Sequence, residues 1–315
     1  MAHVTFIHGI ANKPPKADLL EQWRVALLDN DGVNLDEMGV TTSMVYWADL
    51  LYPKPLPEAA AQSQEALEVD GAVGGDDTDM SWLLEVGPDE VAFVAAVGAE
   101  VGMAEVAATS SEVADVIDPD SPLETIPLPE FVKARLMRVF LRDVHHYLYD
   151  TEFSPRDGES YRIRRTIRQR TADALIEGAR QPGPHVLVTH SMGTVIAYDV
   201  LTGDGDVPGV DSLITLGSPL GLSDLQAKLA PPWTRDDGWP SHRLGSGSWT
   251  NVADRMDPVC GFDAAIGTDF RCGGVSQVLD VAVTNEGRWR HSIVKYLRQH
   301  AVRQALLLAL TEGPR

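Results

Sequence analysis

The sequence predicts an α/β fold: a mostly parallel, doubly wound sheet interrupted by an acidic, mainly helical insertion. Three observations carry that expectation. From His185 to Leu310 the chain alternates short apolar strands with helical stretches. It opens on another short apolar run, His3 to Ile7, that ends in His8-Gly9 and leads into a helical pattern. Between these regions, residues 55–132 hold 18 Asp or Glu and no Lys or Arg, a composition unlike anything else in the chain.

Taken in order, the run His3–Ile7 suits a buried strand feeding a turn. Residues 16–28 place Leu19, Leu20, Trp23, Leu27 and Leu28 at helical spacing. Val40 to Trp47 reads as a second strand, closed by Ala48-Asp49. Residues 51–130 are framed by Pro53, Pro55 and Pro57 at one end and Pro122, Pro127 and Pro129 at the other. They contain a Gly/Asp-rich loop from Gly71 to Asp79 and an Ala/Val/Glu helix from about Asp89 to Thr109, and are expected to form a cap or lid. Residues 1–50 and 131–315 then form the main domain.

Phe131 to Tyr149 puts Leu136, Val139, Phe140, Val144, Tyr147 and Leu148 on one helical face. Tyr161 to Ala179 reads as an Arg-rich helix, stopped by Gln181-Pro182-Gly183-Pro184. Strands are expected at 185–189, 210–216, 249–253 and 278–283, with helices at 192–201, 223–229 and 292–310. In such sheets ligands bind at the carboxyl ends of the strands.

The 315 residues are 44% hydrophobic, enough for a sizeable core, and carry a net charge of −20. An acidic body is repelled by nucleic acid and by anionic lipid headgroups, so neither is an expected partner. The longest apolar stretch, Val91 to Ala99, falls far short of the roughly 20 residues of a membrane span, so no stable membrane insertion is expected. The opening residues lack a basic region and a cleavage site, which leads to an expected cytoplasmic location. Cys260 and Cys272 are then expected to be free thiols. No Cys/His cluster has zinc-like spacing.

The chemistry-bearing segment is Val188-Thr189-His190-Ser191-Met192-Gly193-Thr194, an apolar strand running into a serine and then a helix. A nucleophilic serine needs a sharp strand-to-helix turn that projects its Oγ, and the helix N-terminus favours negative charge developing there. The segment resembles the nucleophile elbow of α/β-hydrolases, Gly-x-Ser-x-Gly, with Thr189 where the first glycine is expected. A serine that merely caps a helix is the competing structural reading.

That resemblance implies an α/β-hydrolase fold and assigns further residues. The turn Phe6-Ile7-His8-Gly9-Ile10 is similar to the early His-Gly turn of lipases and esterases, which implies the backbone N–H groups of Ile10 and Met192 as oxyanion donors. His8 itself is expected to be structural. Asp254-Arg255-Met256-Asp257-Pro258-Val259 follows a late strand and resembles the family's Asp-Pro-Val, which selects Asp257 as triad acid over Asp254. His291 follows the last strand, where the family places its base; His242 and His300 fit that place less well. Ser191, Asp257 and His291 then keep the family's chain order. Gly217-Ser218-Pro219-Leu220 resembles the turn after the nucleophile in lipase-like members, including GPI-inositol deacylase relatives. Trp47 and Asp49 end the second strand; lining a substrate pocket is weighed there against core packing and capping.

The resemblance implies a serine hydrolase that cleaves a carboxylic ester or lipid acyl ester through an acyl-enzyme, with no metal or organic cofactor. A serine peptidase or acyl-thioesterase is the alternative within enzymes, and an inactive binding or scaffold protein is the alternative outside them. The expected partners are a small-molecule or lipid ester, and a basic protein for the acidic insertion.

Overall fold

The computed structural model describes residues 1–57, 80–102, 130–229, 236–244, 247–260, 263–287 and 289–311. Six strands form one sheet: β1 (His3–Ile7), β2 (Thr41–Val45), β3 (His185–His190), β4 (Ser212–Leu216), β5 (Ser248–Asp254) and β6 (Val278–Val283). The spatial order is β6-β5-β4-β3-β1-β2, and every neighbouring pair is parallel. Each parallel step needs a crossover, and the helices supply it on both faces.

The alternation of side chains along the strands explains the two layers. Val4, Phe6, Val186, Val188, Ile214 and Leu216 point to one face, where α1 (Lys16–Leu28), α6 (Ile293–Arg298) and α7 (His300–Thr311) pack. Ile7, Leu187, Leu213 and Trp249 point to the other, against α3 (Glu130–Leu148), α4 (Ile163–Ala179) and α5 (Met192–Thr202). The closing helix expected over 292–310 is two helices, because Gln299 adopts an extended backbone between them.

The apolar face expected for α3 is present: Leu136, Val139, Phe140, Val144, Tyr147 and Leu148 are all buried. The arginines of α4 are less a surface than a set of ties. Arg164 and Arg168 pair with the fully buried Asp199 on α5, and Arg170 pairs with Asp49. Burial acts to raise the Asp199 carboxyl, but the two guanidiniums hold it below the usual range. Of the insertion, α2 (Pro88–Glu100) is described and buries Phe93, Val94, Ala95 and Val97. The described helix ends at Glu100, short of the expected Thr109; the expected loop from Gly71 to Asp79 and residues 103–109 lie outside the described residues. Among the described residues, no helix is long and apolar enough to cross a membrane.

The chain leaves β1 for β2 on one side and returns to β3 on the other, so the strand order reverses between β1 and β3. A crevice outside the carboxyl ends of the strands opens at such a reversal and is where doubly wound sheets bind ligands. The turn at His8-Gly9 and the turn at Ser191 leave the sheet at that place.

Candidate active site

Ser191 lies between β3 and α5 with φ 55° and ψ −132°. A left-handed backbone at a non-glycine residue costs on the order of 1–3 kcal/mol and persists only where its surroundings enforce it. The enforcement is visible. The Ser191 N–H donates to the Leu216 carbonyl of β4 at 3.0 Å, and the Ser191 carbonyl accepts from both the N–H and the hydroxyl of Thr194. The Ser191 side chain makes no capping hydrogen bond to α5, and its buried Oγ has no partner among the described residues. A helix-capping role therefore does not account for this serine.

The departure from the glycine pattern is accommodated inside the sheet. Thr189 is fully buried, pairs with Ile7 of β1, and donates its hydroxyl to the Ile214 carbonyl at 3.3 Å. The close approach that the pattern demands falls on Gly193 instead, where a Cβ would sit 2.5 Å from the Ile7 carbonyl oxygen.

The β1 turn folds directly over the serine. A Cβ on Gly9 would meet Ser191 Cβ at 2.5 Å and Oγ at 3.1 Å, so only glycine fits. His8 holds this turn. Its Nδ1–H donates to the Gly9 carbonyl at 2.8 Å, and its Nε2 accepts the Trp47 backbone N–H at 2.9 Å. Burial, reinforced by Lys13, pushes His8 down to about 3, which keeps it in this neutral tautomer. It is a structural histidine, as expected.

The next residues are tied from the opposite layer. Ala11 has φ 69°, and its N–H donates to Oδ2 of the fully buried Asp143 on α3 at 2.9 Å. Asp143 is held in turn by the Tyr52 hydroxyl and the Arg142 guanidinium. The peptide that presents the Ile10 N–H is thus fixed on both sides, by His8 and by Asp143. Among the described residues, neither the Ile10 nor the Met192 N–H has an acceptor.

Asp257 lies in the turn after β5, and His291 in the loop before α6. His291 Nδ1 lies 2.8 Å from Asp257 Oδ2. A carboxylate only accepts, so Nδ1 is the donor, and in the neutral ring the lone pair then sits on Nε2. That Nε2 is buried without a partner among the described residues, like Ser191 Oγ. Asp257 Oδ1 accepts the Val259 N–H at 2.9 Å. Asp254 is committed elsewhere: its carboxylate accepts from the N–H groups of Met256 and Asn285 and from Arg290. Gly217 ends β4 beneath the pair with φ +55°, and a Cβ there would stand 2.8 Å from Asp257 Oδ2 and 3.1 Å from His291 Nδ1.

A cleft of about 80 Å³ runs beside this cluster. Gly9 and Ile10 form part of its wall, with His190 and His291, and Leu19, Trp23, Leu136, Trp289, Ile293 and Val294 make the lining mostly apolar. Asn12, Lys13 and Gln22 supply its polar groups. Trp47 and Asp49, weighed as pocket residues, are engaged elsewhere. Trp47 is fully buried, stacked on His8 at 4.7 Å with its Nε1–H on the His8 carbonyl, and Asp49 is occupied by Arg170. Trp47 thus has the core-packing role weighed against a pocket, whereas Asp49 is in an ion pair with Arg170 rather than the capping role weighed for it.

His190 adds a support that sequence reasoning passed over. Burial, then the neighbouring His291, pushes it well below its ordinary value; its neutral ring donates from Nε2 to the His291 carbonyl at 3.0 Å. Asp143, Tyr52 and Tyr296 were likewise missed. Each acts across more than 35 residues of sequence with no motif around it. The cysteines are free, Cys260 buried and Cys272 exposed. Among the described residues, no group of three or more His, Cys, Asp or Glu is arranged to hold a metal.

No family model matches the chain, and no curated protein matches it.

Proposed function

We propose that this protein is a serine hydrolase of the α/β-hydrolase kind, acting through Ser191, His291 and Asp257. The observation that carries the proposal is a backbone-strained, uncapped, buried serine directly after His190, whose ring lies 4.6 Å from the His291 ring of the histidine–carboxylate pair. Strain of this kind at a polar side chain marks a site where geometry is kept for chemistry rather than stability.

Within that class, we read the substrate as a small carboxylic ester. His291 Nε2 takes the Ser191 Oγ proton as Oγ attacks the ester carbonyl. The Ile10 and Met192 N–H groups hold the oxyanion. His291 then protonates the departing alcohol, and water, activated by the same nitrogen, releases the acid and restores Ser191. The small, mostly apolar cleft of about 80 Å³ lined by Ile10 and His291 supports a compact substrate over a long lipid chain.

Nitrophenyl esters of graded chain length test this reading. Acetate and butyrate esters are expected to turn over faster than the palmitate ester, with Ser191→Ala losing about a million-fold if the three residues act as a unit. Equal rates for wild type and Ser191→Ala, at any chain length, would remove it.

A further inference from the structure

The carboxylate of Asp257 has more donors than a serine-hydrolase reading requires. Its Oδ2 accepts from His291 Nδ1 at 2.8 Å and also from the Tyr296 hydroxyl at 2.7 Å. The same hydroxyl accepts the Asp254 backbone N–H at 3.0 Å. A phenol has one proton to give. The acceptance from Asp254 uses its lone pair, so the proton points at Asp257. Burial, then the Asp257 charge, pushes the phenol well above its ordinary range, so it is a donor near neutral pH.

Tyr296 is fully buried on α6, five positions after His291. The Tyr296 N–H bonds back to the Ser292 carbonyl, so the first turn of this helix fixes the distance between base and phenol. One short stretch of chain therefore presents two donors to a single carboxylate oxygen. Gly217 leaves room for both, because a Cβ there would stand 3.0 Å from the Tyr296 ring and 3.1 Å from His291 Nδ1.

We infer that Tyr296 is a positioning residue for the acid–base pair: its hydroxyl fixes the Asp257 carboxylate and shares the oxygen that receives His291 Nδ1–H. The hydrogen bonding stands on geometry alone; its catalytic consequence rests on the serine-hydrolase reading. A donor bound to a carboxylate spreads its charge and weakens the pull on any other donor to the same oxygen. Tyr296 therefore moderates the His291–Asp257 bond while holding the carboxylate in the plane the imidazole needs.

The other titratable groups facing this network are few. The Cys260 thiol touches both Asp257 and Tyr296, and burial followed by the Asp257 charge pushes it up, so it stays neutral. Asp254 is neutralised locally by Arg290 and two backbone N–H groups. The His190 ring lies 6.0 Å from Tyr296 and 4.6 Å from His291 and is held neutral by burial. Of these, the Cys260 thiol also reaches the Asp257 carboxylate, and as a neutral thiol it is a weaker donor than the Tyr296 phenol.

The test is the proton NMR resonance of His291 Nδ1–H, assigned by its loss in His291→Gln. In Tyr296→Phe the ring and its packing remain while the donor is gone. The resonance is expected to move downfield as Oδ2 draws more strongly on the remaining proton. Fluorophosphonate labelling is expected to slow between about ten- and a hundredfold as the carboxylate loses its fixed plane. Incorporating 3-fluorotyrosine at position 296 keeps the hydroxyl, makes it a stronger donor, and is expected to move the resonance upfield; this arm serves if Tyr296→Phe does not fold. A resonance that stays in place in both variants overturns the inference, even if labelling slows. If wild type does not label but the resonance moves as expected, the positioning stands and the hydrolase reading fails.

Discussion

At the residue scale, Ser191 is the place where local preference and fold disagree. Its backbone angles suit glycine, yet the residue is a serine held there by Leu216 and Thr194. Ser191→Gly is therefore expected to remove activity and raise stability by roughly 0–2.5 kcal/mol, the ~1–3 kcal/mol of relieved strain less the ~0.5–1 kcal/mol that glycine's unfolded-state freedom costs. Thermal or urea unfolding measures it. A glycine variant less stable than wild type by about 0.5–1 kcal/mol, glycine's entropic cost with no strain relieved, would mean the backbone is not strained. The same residue shows how much of the site was legible in sequence. Ser191, Asp257 and His291 stand out because each follows a predicted strand and their order is informative. In sequence only the Asp-Pro-Val resemblance separates Asp257 from Asp254; in three dimensions one meets His291 and the other braces the 285–290 loop.

At the scale of elements, the sequence pattern predicts strands and helices well because strand alternation and helical spacing are local. What it does not carry is which ends meet. Trp47 and Asp49 end β2, and the end of a strand at the sheet's functional edge is a reasonable pocket position. The crevice opens between β1 and β3, however, and the His8 ring already fills the space above β2 by stacking on Trp47. The cleft is instead lined by α1 and by the Trp289–Val294 segment, through Leu19, Trp23, Trp289 and Ile293. Asp143 illustrates the same limit. It lies on α3 and reaches Ala11 across 132 residues, so nothing in the sequence near either residue announces the contact. Its buried carboxylate is tolerated because a backbone N–H, a phenol and a guanidinium surround it.

At the scale of the whole molecule, several histidines are held neutral by burial. His8 and His146 are pushed down to about 3 and His185 to about 4, and His190 lies well below its ordinary value. The unfolded chain binds protons at about 6.5 that these folded side chains refuse. Their contribution to stability is therefore complete above about pH 6.5 and is lost as pH falls toward 4, at about 1.4 kcal/mol per histidine per pH unit. Asp143 and Glu100 act in the opposite direction, since burial raises both and their folded forms hold protons more tightly, but they are fewer. The melting temperature is expected to drop steadily from pH 6.5 to 4. A flat or rising melting temperature over that interval would mean these imidazoles are solvated in the fold.

The central claim is that Ser191 is an activated nucleophile served by His291 and Asp257, and a fluorophosphonate probe followed by peptide mass spectrometry tests it most directly. Wild type is expected to take up one phosphonyl group, on Ser191. Ser191→Ala is expected to take up none, and His291→Gln and Asp257→Asn to label far more slowly. A wild-type protein that stays unlabelled, or that labels equally after Ser191→Ala, would contradict the claim and leave the strained serine without a chemical reason.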